Sequence, residues 1–284
     1  MVRPPGDRET DRLPGERFLR IARKDFMDAV RARQVHTLVA GFALFGAYLG
    51  YFTPGDIGRG VFSLLVFLIP LVGVAFTQHA VAGKRESGEL AVLLGLPFSR
   101  RDVVAGTYLG RTGVVLAAVV SAYAGAVLAG IPGGASFDPG TVALGVVLLF
   151  IVGTIFVGIT LGVSAVARGT TSASVGAFVA FLAFMLPTWQ FVPDAVLFVA
   201  NGFDAPDRIP EWATAFDQFA PFVALRNAAT PVAPDLVSSL PVVGEGVPPD
   251  PPLYMEPLFG AVVVVGWLVV PAGLGYLRFE RSDL

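Results

Sequence analysis

Six long apolar segments, separated by shorter polar stretches, dominate the pattern of this chain. A helix needs about 20 mainly apolar residues to cross a bilayer, because each residue adds about 1.5 Å along its axis. The six segments come close to this length or exceed it, and charged residues concentrate between them. The pattern therefore predicts an all-α integral membrane protein with six transmembrane helices at residues 35–52, 60–78, 103–129, 141–167, 173–192 and 258–277.

The polar island is the name we give to residues 84–111, which lie between the second and third apolar segments. It contains five basic and three acidic residues. We expect a short helix at 86–96, with Glu86 and Glu89 in its first turn, where carboxylates interact favourably with the helix dipole. Its leucines would form one apolar stripe at mostly helical spacing, made of Leu90, Leu93, Leu94 and Leu96.

The second half of the polar island carries signals for a helix end and a new helix start. Pro97 lacks a backbone N–H and favours extended geometry in the residue before it, so it should end the first helix. Ser99 has the character of an N-cap, and Asp102 follows three residues later in a capping-box pattern. Such a short amphipathic helix cannot span a bilayer, but it can lie on the membrane surface and bind a partner.

The N-terminal region is strongly charged. Residues 1–36 contain nine Lys or Arg and no apolar core of a signal peptide, and we expect residues 1–15 to be disordered. From Glu16 onwards the pattern predicts a basic amphipathic helix suited to the lipid headgroup layer. Its apolar face would comprise Phe18, Leu19, Ala22, Phe26, Ala29 and Val30.

The longest polar loop, residues 193–257, holds 12 of the 22 prolines and is too proline-rich to form a core of its own. One ordered piece is predicted at 211–229, with a break at Pro221 and aromatic residues suited to a membrane interface. We expect residues 231–252 to be irregular.

The distribution of basic residues predicts the orientation. If the N-terminus is cytoplasmic, the inner segments hold 17 of the 20 Lys and Arg, while the 22 acidic residues divide evenly. Lys and Arg favour cytoplasmic loops. We therefore expect both termini and the polar island in the cytoplasm, and the 193–257 loop outside.

Catalytic and metal-binding patterns are missing from the sequence. It contains no cysteine, no P-loop pattern for ATP, no H-E-x-x-H and no G-x-S-x-G. His36 and His79 fall near the ends of spans and are better explained as interfacial polar residues. The sequence thus predicts no catalytic, cofactor-binding or metal-binding residues, and a protein that is not an enzyme by itself.

The order of residues in the polar island resembles the cytoplasmic coupling segment of ABC-2 type transporter permeases, in particular the NosY-like group. In that family, an acidic and small polar stretch leads into a leucine-rich helix, and a Pro-x-Ser-Arg turn opens the third span. Glu89 and Thr107 depart from the family pattern, which more often has Thr and Lys there. The matching or neighbouring residues, which the resemblance implies contact a partner, are Glu86, Ser87, Gly88, Glu89, Leu90, Leu93, Leu94, Pro97, Ser99 and Arg100.

The resemblance implies a permease subunit in the cell membrane, with residues 16–284 as one six-helix domain. It would form half of an export path, pair with a second permease subunit, identical or related, and couple to a separate ATP-binding subunit. The leucines of the polar island would anchor that subunit, with Glu86 and Glu89 at the rim of the contact. Lipid would be a further partner, and nucleic acid none. The alternative is a non-transporting membrane anchor or scaffold, in which the polar island is an ordinary interfacial loop.

Overall fold

A computed structural model describes residues 14–52, 55–96, 98–186, 188–205, 208–242 and 251–281. Within these ranges the secondary structure is helical, apart from one isolated bridge between Asp56 and Ser136. The predicted all-α membrane fold is therefore confirmed. The helices are α1 (Pro14–Arg31), α2 (Gln34–Phe52), α3 (Ile57–Thr77), α4 (Ala82–Glu86), α5 (Glu89–Leu94), α6 (Arg100–Gly130), α7 (Pro139–Val166), α8 (Thr170–Met185), α9 (Thr188–Ala200), α10 (Glu211–Asp217), α11 (Pro221–Ala229), α12 (Pro234–Val237) and α13 (Pro257–Glu280).

Five helical stretches in the described part of the chain are long and apolar enough to cross a membrane. They are α2, α3 with the short α4 that continues it, α6, α7 and α13. The fifth predicted segment, 173–192, is instead divided between α8 and α9, which have 16 and 13 residues. At about 1.5 Å per residue, each is shorter than the roughly 30 Å hydrocarbon core. The count of six spans therefore stays a prediction.

Close packing of α2 against α6 depends on glycine. A Cβ atom on Gly46 or Gly50 would overlap the backbone carbonyls of Ala122 and Ala126, and one on Gly125 would overlap that of Ala43. Small residues at regular spacing let two helix backbones approach each other inside a membrane, where burial of apolar surface gives little driving force. Helix α6 is thereby fixed beside α2, and it also packs against α3 and α7 in the main core.

The start of α6 is capped as its sequence predicts. The side chain of Ser99 accepts a hydrogen bond from the Asp102 amide (3.1 Å), while the Asp102 carboxylate accepts one from the Ser99 amide (2.9 Å). This reciprocal pair confirms the predicted capping box at the start of α6. The predicted break at Pro97 lies outside the described residues.

The segment between α9 and α13 packs onto the helix bundle instead of forming a separate core. As predicted, residues 211–229 are ordered and divided at Pro221, where α11 begins. Phe222, Leu225 and Leu236 are buried in the main core, together with residues of α3 and α7. The short helix α12 is also ordered, so the expectation of an irregular chain beyond residue 230 was wrong for its first part; residues 243–250 lie outside the described residues.

The N-terminal amphipathic helix α1 packs against the first part of α6. Cβ atoms added to Gly106 and Gly110 would meet Ile21 and Ala22 of α1, so these glycines form the groove that receives the helix. The predicted apolar face is partly confirmed, because Ala22 and Ala29 are buried while Leu19 is 55% exposed. The predicted disorder of residues 1–15 concerns a segment that, up to residue 13, lies outside the described residues.

Candidate coupling surface

The segment 86–96, predicted as one short helix, is divided between the end of α4 and α5. Helix α4 ends at Glu86 and α5 begins at Glu89, with Gly88 between them in a left-handed conformation (φ +75°). Residues with a side chain avoid this conformation, whereas glycine adopts it readily, so Gly88 creates the bend. The prediction that Glu86 and Glu89 share the first turn of one helix was therefore wrong, since only Glu89 occupies that position.

Two of the predicted anchor leucines are buried within the chain itself. Leu90 is 1% exposed and Leu93 is 7% exposed, and Leu90 belongs to a cluster with Ile21, Val103 and Phe279. These side chains cannot serve as anchors for a partner, because an apolar surface of the same chain already covers them. Leu94 is half-buried against the same cluster.

The apolar side chains that α5 exposes are different ones. Val92 is 68% exposed and Leu96, just beyond the helix, is 50% exposed. The other exposed positions among the described residues from 86 to 99 are polar or small: Glu86, Ser87, Gly88, Ala91, Gly95 and Ser99. We call this set, with Val92 and Leu96, the α5 surface.

Glu86 connects the polar island to the start of α8. Its carboxylate accepts hydrogen bonds from the backbone amide of Thr170 (2.8 Å) and from the hydroxyl of the same residue (3.0 Å). Thr170 is the first residue of α8, so the carboxylate binds one of the amides that a helix N-terminus leaves without an internal partner. Glu86 thus lies on the exposed α5 surface and at the same time binds the start of α8.

Glu89 connects α5 to the N-terminal helix. Its carboxylate receives a hydrogen bond from Lys24 Nζ at 2.8 Å, and Asp28 lies 3.2 Å from the same amine. The hydrogen bond to Glu89 is the main reason why the pKa of Lys24 is raised above its usual value. All three side chains are about half exposed, so water and salt weaken the attraction.

Two arginines of the polar island bind residues at the ends of α7 and α13. The guanidinium groups of Arg85 and Arg100 lie over the ring of Phe279, with centroid distances of 5.6 and 5.0 Å. Arg85 also donates to the carbonyls of Ala165 and Ala167 at the end of α7, and Arg100 donates to the carbonyl of Phe279. The ends of α7 and α13 are therefore both attached to the polar island.

A buried ionic cluster joins α1, α4 and α6, and the sequence analysis missed it. Asp25 lies 3.2 Å from Lys84 Nζ and 2.8 Å from Arg111 Nε, and Lys84 also donates to the hydroxyl of Thr107 at 3.0 Å. The side chains of Asp25, Lys84 and Arg111 are 5%, 12% and 17% exposed. The signal was present in the sequence, because Asp25 shares a helix face with the apolar Ala22 and Ala29.

No group of three or more His, Cys, Asp or Glu in the described part of the chain could hold a metal ion. The site therefore consists of helix contacts and an exposed surface, without a recognisable metal centre in those ranges. One short segment thus contacts the middle of α1 and the ends of α7, α8 and α13.

Comparison with known proteins agrees with this architecture. The model of the family described as "ABC-2 family transporter protein" matches residues 48–284. The "Probable ABC transporter permease protein NosY" of Pseudomonas aeruginosa is 30% identical over 120 residues, which are 38% of this chain and 44% of that protein. The protein of the same name from Stutzerimonas stutzeri is 32% identical over 111 residues, 35% of this chain and 40% of its own length. Each alignment thus spans less than half of the relative. The family match spans most of this chain, and the chain therefore belongs to the ABC-2 family of transporter proteins.

Proposed function

We propose that this chain is the membrane-spanning permease subunit of an ATP-binding-cassette transporter, working as an exporter with a separate ATPase subunit. The observation that carries the proposal is the α5 surface, which presents Val92 and Leu96 to solvent on a segment attached to four other helices. A partner that covers exposed apolar side chains on a polar loop gains free energy, because burying a side chain such as valine fully contributes about 1.5–3 kcal/mol.

The proposed orientation places the α5 surface in the cytoplasm of a cell-membrane protein, with both termini on the same side. The support is the distribution of 17 of the 20 basic residues over the segments assigned to that side. Residues 16–284 would then act as one permease domain, and the 193–257 loop would face outwards. ATP binding and hydrolysis belong to the partner, because the chain contains no P-loop pattern.

The proposed coupling works through the contacts of the polar island. A partner that pushes on α5 would move α8 through Glu86 and Thr170, and would move the ends of α7 and α13 through Arg85 and Arg100. A second permease subunit, identical or related, would complete the path across the membrane. The buried Leu90 and Leu93 contribute by fixing α5 to the bundle, so that a push on the helix becomes a push on the spans.

Co-purification with a co-expressed candidate ATP-binding-cassette subunit tests the proposal. In Val92→Asp, we expect the recovered ATPase to fall about tenfold or more, because a charge replaces an exposed apolar contact worth at least about 1.4 kcal/mol. The variant should otherwise behave as the parent protein in gel filtration, since Val92 is 68% exposed. Val232→Asp is the matched control, because Val232 is 64% exposed but lies in the segment assigned to the outer side.

Three results decide between the readings. Loss of the ATPase in Val92→Asp alone supports coupling through the α5 surface. Equal recovery with both variants would show that α5 is not the contact. If the parent chain retained no ATPase, and adding the chain left the rate of ATP hydrolysis by the ATPase unchanged, the membrane scaffold would be favoured over a transporter subunit.

A further inference from the structure

A cavity of about 830 Å³ lies between α2 and α3, at the end of the bundle that carries the polar island. Its deeper wall is apolar and includes Phe42, Phe45 and Leu68. Its other end is polar and cationic, with Arg33 and Arg111. The cavity is thus amphipathic along its length, and neither the family match nor the proposed coupling assigns a role to it.

The cationic end has an excess of positive charge. No carboxylate lines the cavity among the described residues, and the nearest acidic group in the contact network is Asp25, which lies between Lys84 and Arg111. One carboxylate cannot neutralise two cations, and Arg33 adds a third. Arg111 pairs with Asp25 through Nε and Nη2, so Nη1 takes no part in that pair. A local excess of positive charge with apolar walls attracts an anionic ligand.

The backbone at the cavity entrance is held in an unfavourable conformation. Arg33 has a φ of +61°, which residues with a side chain adopt rarely and at a cost in free energy. The turn between α1 and α2 is fixed there, because the Arg33 amide donates to the Val30 carbonyl and the Arg33 carbonyl accepts from the hydroxyl of Thr37. Strained residues of this kind often mark binding sites, because the surrounding structure keeps them in place for another purpose.

The cavity opens towards the region that lipid would occupy. Leu68, Ala75 and Gly41 line it and are also exposed on the outer surface of the bundle. A Cβ atom on Gly41 would meet no other group within 4 Å, so the space beside α2 is open. A molecule could therefore enter from the membrane without passing through the helix bundle.

We propose that this cavity binds an anionic phospholipid, with its phosphate at Arg33 and Arg111 and an acyl chain along Phe42, Phe45 and Leu68. Basic pockets between membrane helices bind acidic headgroups. A small hydrophilic anion would leave the apolar wall of the cavity without a contact, whereas an acyl chain would cover it. The proposal goes beyond the transport function, and it depends on that function only in placing the site in the inner leaflet. The binding test below uses neither orientation nor an ATPase, so its failure would leave the transport proposal standing.

Native mass spectrometry of the purified, delipidated chain in detergent measures the binding directly. Phosphatidylglycerol and phosphatidylcholine with identical acyl chains are titrated separately, and glycerol phosphate provides the headgroup alone. We expect phosphatidylglycerol to bind at least about fivefold more tightly than phosphatidylcholine, because the exposed Arg33 alone contributes about fivefold and Arg111 adds to it. Glycerol phosphate should bind far more weakly than either lipid. Equal affinity for the two lipids, or equal affinity for glycerol phosphate and phosphatidylglycerol, would overturn the proposal.

Two variants locate the site, each with a matched control. Arg33→Asn removes the charge while keeping a residue that tolerates a left-handed backbone, and it should lose about fivefold in preference for phosphatidylglycerol. Arg278→Gln removes an exposed charge elsewhere on the same side and should leave the preference unchanged.

Gly41→Leu fills the cavity and should weaken both lipids, whereas Gly273→Leu should have no effect, although its Cβ is equally unobstructed. Both leucine variants should fold, because leucine has a higher helix propensity than glycine. If Arg33→Asn and Gly41→Leu both bound phosphatidylglycerol like the parent chain, the lipid would lie elsewhere and the proposal would be wrong.

Discussion

Removal of the Asp25 carboxylate should release α1 from the helix bundle. In Asp25→Ala, Lys84 and Arg111 lose their shared anion while remaining only 12% and 17% exposed. Loss of one partner from a buried ion pair costs about 3–5 kcal/mol, and the partial exposure of the two cations favours the lower value, about 3 kcal/mol. Since about 1.4 kcal/mol corresponds to a factor of ten, the population with α1 detached should rise about 100-fold.

Hydrogen exchange of the α1 amides, measured by mass spectrometry in detergent, reports this opening. We expect exchange across residues 18–31 to accelerate about 100-fold in Asp25→Ala, while the amides of α7 keep their protection. Asp28→Ala is the matched control, because Asp28 lies one turn further along the same helix and is 49% exposed in its pair with Lys24. An exposed pair contributes about 0–1 kcal/mol, so that variant should change exchange by less than about fivefold. If the two variants exchanged alike, the buried cluster would not be what holds α1 to α6.

Three further predictions follow from burial, charge and orientation. Leu90→Ala should lower the free energy of unfolding, measured by thermal unfolding, by about 2–5 kcal/mol, because Leu90 is 1% exposed. Val92→Ala should change it by about 0.5 kcal/mol or less, because Val92 is 68% exposed. Equal effects of the two variants would place Leu90 outside the core. Burial raises the pKa of Asp217 to about 6, with a smaller contribution from the nearby charge of Asp194. The folded state therefore binds the proton more tightly than the unfolded state does, and stability should fall as the pH rises from about 4 to 6. Asp217→Asn should remove that dependence in unfolding measured across this range, and an unchanged profile would contradict it. In intact cells, a membrane-impermeant thiol reagent should label the exposed Ser238→Cys and spare the exposed Ser87→Cys; the reverse pattern would invert the proposed orientation.

Local chemistry was predictable from the sequence wherever neighbouring residues determine the structure. Ser99 and Asp102 form the capping box because both partners lie within one turn, and the position of the polar island follows from its charges. The bend at Gly88 was missed although it is also a local feature. Glycine is compatible with a helix interior and with a left-handed turn, and no pattern in the flanking residues decides between them.

The burial of Leu90 could not be predicted from its own segment. An apolar stripe shows that something covers a helix face, but it does not show what. Here the covering residues include Ile21 near the N-terminus and Phe279 near the end of the described chain. Only the packing of helices distant in sequence distinguishes a leucine that faces the chain's own core from one that awaits a partner.

The division between α8 and α9 illustrates a different difficulty. Hydropathy alone treats residues 173–192 as one continuous apolar segment, and Pro187 lies within it in the sequence. Proline is tolerated in many membrane helices, as α3 and α13 show with Pro70 and Pro271. Its presence therefore does not predict whether a span kinks or ends, and the surrounding packing decides.

The contacts of the polar island place a constraint on how a partner could act through it. Asp25, Lys84 and Arg111 join the segment to α1 and α6 in a buried position, whereas Glu89 and Lys24 join it to α1 through an exposed pair. Buried contacts with two cations on one anion resist separation more strongly than a solvated pair does. A push on α5 should therefore break the exposed pair first and turn α4, α1 and the start of α6 as one unit. Because Arg33 closes the turn after α1, such a movement would also displace the cationic end of the cavity between α2 and α3.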